Sequence, residues 1–95
     1  MFERELKRFR SLVREGRSLF TYHALVEMDE DDLLEEDVES VILSGRIVER
    51  QIDRDTGERK YVLSGWDRTG VPAGVVVKAA HTDKIVVITA YREVE

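Results

Sequence analysis

Along the first 45 residues the apolar positions recur at helical intervals; from residue 46 onward they alternate or run together. Phe2, Leu6, Phe9 and Val13 are spaced four, three and four apart, which places them on one stripe of a helix over residues 2–15. Leu12 widens that stripe, and Gly16 is placed to stop it. Leu19, Phe20 and Tyr22 lead into a short second helix near Thr21, whose hydroxyl suits an N-cap. Ala24, Leu25 and Met28 supply its apolar side, and Asp29 to Asp32 break it. A third helix is signalled by Asp32 and Glu35 at capping-box spacing, with Leu34, Val38, Val41 and Ile42 as the inward stripe. Gly45 is expected to end it in a left-handed cap.

The period then changes to two. RIVERQI (46–52) and RKYVLSG (59–65) flank the polar turn DRDTGE, as a hairpin requires. GVVVKAA (74–80) and KIVVITAY (84–91) are nearly continuous apolar runs separated by HTDK, the pattern of central strands covered on both faces. Residues 1–95 are thus expected to form a single α+β domain, with N-terminal helices packed on a four-stranded, mainly antiparallel sheet. Arg46 and Arg50, four apart with Val48 between them, are expected on one strand face. Trp66, just after the second strand, is read as a lid on the core in preference to a platform on which a base could stack.

Composition narrows the classes. No apolar run approaches the roughly 18 residues of a membrane span, so no membrane association is expected. MFERELKRFR alternates charge with bulk, unlike a secretory signal, and a cytoplasmic location follows as the default. Cysteine and asparagine are absent and glutamine occurs once; with 37% charged residues this is a thermophile-like composition. The absence of cysteine excludes thiolate chemistry and disulfides.

The net charge of −5 conceals segregation. Residues 1–17 carry six basic and three acidic groups, whereas residues 27–39 carry nine acids and no base. The acidic block reads either as a solvated loop and helix start or as a docking surface for a basic partner. His23 and His81 lack metal-ligand spacing, the acids Asp29–Asp32 lack the pattern of a calcium loop, and no phosphate-binding glycine loop or nucleophile elbow occurs. No cofactor or metal is implied.

Several short motifs together carry a resemblance. Thr21-Tyr22-His23-Ala24, Glu36-Asp37-Val38, Gly45 followed by Ile47-Val48-Glu49, Tyr61-Val62-Leu63 and Val87-Ile88-Thr89-Ala90-Tyr91 resemble the family called domain of unknown function 4258, over about residues 20–92. That family is itself similar to the RelE and BrnT ribonuclease toxins of toxin–antitoxin pairs. The resemblance implies a RelE-like fold and two readings of function. In one, the chain is a non-catalytic or degenerate relative that acts through protein interaction. In the other, it is an endoribonuclease toxin cleaving mRNA, held inactive by an antitoxin whose basic segment meets the acidic block.

Cleavage through a 2′-hydroxyl needs a proton-transfer group and a cation over the developing phosphorane charge. For that role His23, Arg46, Arg50 and Tyr91 are the candidate catalytic residues, with Arg59, Arg68 and Arg92 as further clamps and Tyr61 as a stacking ring. The competing reading of His23 is an imidazole that bonds a backbone group at a helix start. His81, expected to be exposed in the HTDK turn, is a weaker candidate. Where the family often has an arginine after the His-Ala pair, a histidine at the third strand and a Ser or Thr at the helix start, this chain has Val26-Glu27-Met28, Gly74 and Leu34. These departures favour the non-catalytic reading.

Overall fold

A computed structural model of the chain describes residues 1–80 and 83–93. The elements follow in the order α1 (Glu3–Arg14), β1 (Ser18–Phe20), α2 (Tyr22–Glu30), α3 (Glu35–Ser44), β2 (Arg46–Ile52), β3 (Arg59–Trp66), β4 (Pro72–Ala80) and β5 (Lys84–Arg92). The sheet has five strands in the order β1-β5-β4-β3-β2. It is mixed rather than four-stranded: β1 pairs with β5 in parallel, Ser18 to Phe20 lying beside Ile85 to Val87, and the remaining pairs are antiparallel. Three residues are too few to show a period. β1 exists because its backbone finds a partner more than 60 positions away, which no local pattern encodes.

The helices end as the backbone dictates. α1 closes in a Schellman motif: the Arg17 amide donates to Leu12 O and the Gly16 amide to Val13 O, with Gly16 at φ +74°. Thr21 caps α2, its Oγ1 accepting from the Ala24 amide at 3.1 Å. Asp32 does not cap α3. It sits at φ +54°, and Leu34 occupies the cap while the Asp37 carboxylate accepts the Leu34 amide at 3.0 Å. Nor is Gly45 left-handed, since its φ is −96°. Glycine is required there because a Cβ would collide with the Ser64 carbonyl and lie 2.6 Å from that of Val41. The end of α3 thus lies directly on β3.

Phe9, Leu12 and Val13 of α1, Ala24 and Met28 of α2, and Val38, Val41 and Ile42 of α3 are buried in one cluster. They share it with the inward residues of the sheet, including Leu63, Val75, Val77, Ile85 and Val87. Tyr61 is buried edge-on to Phe9 and Phe2, at centroid distances of 5.3 and 6.0 Å. The opposite face of the sheet, with Val62, Ser64, Trp66, Val76 and Tyr91, carries no helix and is only partly shielded. The expectation of central strands covered on both faces therefore fails.

A β-bulge between Ile47 and Glu49 also changes the phase of β2. Arg46 pairs with Ser64 on the open face, whereas Arg50 pairs with Tyr61 on the helix side and lies 5.4 Å from the Phe2 ring centroid. The two arginines therefore face opposite ways.

Candidate functional site

The two ends of β5 are sealed differently. Beyond the three residues paired with β1, α2 runs beside its outer edge: Thr21 donates to the carbonyl of Ile88, Glu27 accepts the Ala90 amide, and Asp31 accepts the Arg92 amide at 2.9 Å. His23, Glu27 and Asp31 are four apart, so one helix face carries all three. Side-chain carboxylates here replace the missing strand, satisfying amides that would otherwise invite another chain. His23 is exposed, with its Nε2 3.3 Å from Glu27 Oε1. Its partner is thus a carboxylate rather than a backbone group.

Of the other acids of the block, Glu39 is half-buried and the remaining six divide into two sets. Asp37 is buried, accepts both the backbone and guanidinium N–H of Arg68, and is held below the usual carboxylate range by the Leu34 amide and then Arg68, against the opposing effect of burial. Asp29, Glu30, Asp32, Glu35 and Glu36 are exposed, and none is in an ion pair among the described residues.

Asp67 and Arg92 form a largely buried ion pair. Asp67 is buried; its Oδ1 accepts the Thr69 amide, the Thr69 hydroxyl and the Val71 amide, and its Oδ2 accepts Arg92 Nη1 at 2.7 Å. The Arg92 guanidinium, then these donors, hold the carboxyl far below its ordinary range. Arg92 also donates to the carbonyls of Asp31 and Asp32. The pair thereby ties the β3–β4 turn, the end of β5 and the end of α2 together. Asp67-Arg68-Thr69-Gly70 has the Asx-turn pattern that could have marked Asp67 in the sequence. Its partner, 25 positions away, has no such mark.

On the open face one cross-strand row runs Arg46, Ser64, Gly74, Tyr91. The Tyr91 ring lies over Gly74, where a Cβ would come within 2.6 Å of its hydroxyl, so the tyrosine leans across β4 toward β3. Burial, then the nearby Glu93 and Glu49, raise the Tyr91 phenol above its usual value, so it stays protonated at neutral pH and can donate a hydrogen bond, but it is a weaker acid than a free tyrosine. Beside this row lies a groove of about 430 Å³ lined by Gly45, Arg46, Ser64, Gly65, Trp66 and Pro72, among others. Trp66 is 51% exposed and covers no core. Its carbonyl is held by the hydroxyls of Ser40 and Ser44.

Of the four candidate catalytic residues, the structure brings Arg46 and Tyr91 onto one row. Arg50 lies on the opposite side of the sheet, and His23 lies on α2 at the sheet's far edge. Among the further clamps, Arg92 and Arg68 are engaged by Asp67 and Asp37, and Arg59 is exposed. Tyr61 is buried and cannot stack on a base. His81 lies outside the described residues. Among the described residues no group of three His, Asp or Glu is arranged to hold a metal ion, and no helix is long and apolar enough to cross a membrane.

No curated protein and no solved structure matches the chain. A family model does: it covers residues 20–92, from the end of β1 to the end of β5, so the motifs at Thr21-Tyr22-His23-Ala24 and Val87 to Tyr91 lie within it. On that match the chain belongs to the family described as Domain of unknown function (DUF4258).

Proposed function

We propose that the domain is a non-catalytic protein-interaction module, and that the outer side of α2 takes a basic, partly apolar segment of a partner protein, of the kind an antitoxin-like partner would offer. One observation carries this reading. Tyr22, Leu25, Val26 and Asp29 are spaced three, four and seven from the first, so they share a stripe, yet all four are exposed while Ala24 and Met28 do the packing. Tyr22 is 83% exposed. Three apolar side chains, Tyr22, Leu25 and Val26, turned to solvent beside five carboxylates that have no ion pair among the described residues, on α2, its C-terminal turn and the start of α3, fit a segment that alternates leucine-like residues with lysine or arginine. The separation of His23 and Arg50 from the Arg46–Tyr91 row supports the non-catalytic half of the proposal.

The probe is a synthetic amphipathic helical peptide with leucines on one face flanked by lysines. Calorimetric titration is expected to show binding that weakens with salt and weakens at least tenfold, about 1.4 kcal/mol, in Leu25→Asp. Equal affinity in a folded Leu25→Asp protein would remove α2 from the reading.

The row Arg46–Ser64–Gly74–Tyr91 favours the second reading, an endoribonuclease, because it presents a cation and a hydrogen-bonding phenol on one uncovered face. Induced expression in bacteria tests it. Growth arrest with cleaved mRNA, lost in folded His23→Ala or Tyr91→Phe variants, would establish the toxin and sink the non-catalytic reading. Normal growth with intact mRNA and soluble protein is the expected outcome.

A further inference from the structure

Apart from Arg10, the basic groups of the N-terminal helix are not required by its packing. Phe9, Leu12 and Val13 are buried, and Phe2 and Leu6 pack against the same core, which accounts for the inward side of α1. The outward side carries Arg4, Lys7, Arg8, Arg10 and Arg14, with Arg17 just beyond the helix end. Arg10 caps α3 from outside, donating to the carbonyls of Ile42 and Gly45 at 3.2 and 2.7 Å. Arg8 pairs with Asp83, and Arg17 with Glu15. Arg4, Lys7 and Arg14 are exposed and have no ion pair among the described residues. Arg4 with Lys7, Arg4 with Arg8 and Arg10 with Arg14 are like charges three or four apart, each of which costs an isolated helix about 0.2–0.5 kcal/mol. Glu3 and Glu5 offset part of this.

The cations also line concave surface. Arg4, Lys7, Arg8, Ser11 and Arg17 border a depression of about 470 Å³ that also takes in the acids Glu15 and Asp83, each already paired with an arginine of the rim. Lys7, Arg10 and Arg14 border a neighbouring one of about 360 Å³ with Glu3 at its edge, so that cations outnumber acids in both and Lys7 is common to them. We propose that this face of α1 binds the phosphodiester backbone of a nucleic acid, independently of base sequence. Three features select that ligand. Five of the six cations are arginines, whose planar fork matches phosphate oxygens. The exposed side chains of the face are polar, whereas a protein partner would need an apolar centre. The apolar side of α1 is buried in the core, so it cannot insert into a lipid surface. The acidic block of residues 27–39 repels the same ligand and restricts the contact to α1.

Fluorescence anisotropy of the full chain with a labelled 20-nucleotide single-stranded RNA and a labelled 20-base-pair DNA duplex tests the proposal. Binding is expected at low salt, with a log–log salt slope of about −2 to −3, as about three phosphates release counterions. The triple variant Arg4→Glu, Lys7→Glu, Arg14→Glu is expected to lose at least tenfold in affinity. The triple glutamine variant should lose less and keep the wild-type melting temperature, since none of these side chains is buried. Failure of both probes to bind in 25 mM salt would overturn the proposal. So would undiminished binding by a folded triple-glutamate variant. Equal competition by poly-glutamate would assign the face to acidic protein segments instead.

Discussion

Phe9→Ala is expected to destabilise the domain by about 3–5 kcal/mol, read as a fall in the urea midpoint at unchanged slope. Phe9 is almost fully buried and meets Tyr61 edge-on. Truncation would remove that ring contact and leave a cavity between α1 and the sheet that rigid neighbours cannot fill. The consequence reaches further, because α1 lies outside the residues that the family model matches. The three fully engaged residues Phe9, Leu12 and Val13 contribute roughly 1.5–3 kcal/mol each by burial, a sum comparable with the whole stability of a small domain. A fragment of residues 18–95 is therefore expected to lose its cooperative thermal transition, while Arg14→Ala stays within about 0.5 kcal/mol of wild type. A fragment that melted cooperatively at the wild-type midpoint would show that α1 is an accessory to a self-sufficient core.

Asp67→Asn is expected to lower the melting midpoint at neutral pH by on the order of 5 °C or more. The amide can still accept at Oδ1, but it leaves the Arg92 guanidinium without its counter-charge at the point where two turns and β5 meet. The sign of the pH dependence follows from the carboxyl's direction of shift. Its folded value lies below the unfolded value of about 3.9, so the pair stabilises the fold at any pH above that value. That contribution is lost as the pH falls from about 4 toward the folded value, and Asp37 acts in the same sense. Glu39, raised by burial and by Glu36 and Glu35, acts oppositely and offsets part of the loss. Midpoints measured from pH 7 to pH 2 should be nearly level to about pH 5 and then fall. The fall should be shallower in Asp67→Asn. Parallel curves for the two proteins would mean that the pair does not govern acid stability.

Both expectations rest on contacts of unequal visibility in the chain. The stripe through Phe2, Leu6, Phe9 and Val13 determined α1, its inward face and, with Gly16, its end, because helical spacing and a left-handed stop are local properties. The cap at Thr21, the third helix and the four long strands were determined in the same way. The five short motifs from Thr21-Tyr22-His23-Ala24 to the run ending at Tyr91, taken together, identified the family. What tertiary structure decided is where non-local geometry intervened. The three residues of β1 became a strand only beside β5. A single bulge at Val48 moved Arg50 away from Arg46, since one extra residue inverts a period of two. Gly45 was read as a conformational stop and is instead a steric necessity set by Ser64. The acids of residues 27–39 look alike in sequence, yet Glu27 and Asp31 close the β5 edge and Asp37 caps a helix, while Asp29 and Glu30 stay in solvent. Residue type determined their charge. Only tertiary contact determined which of those charges found a distant backbone amide to hold: β5, more than 60 positions away, for Glu27 and Asp31, and the turn at Arg68 for Asp37.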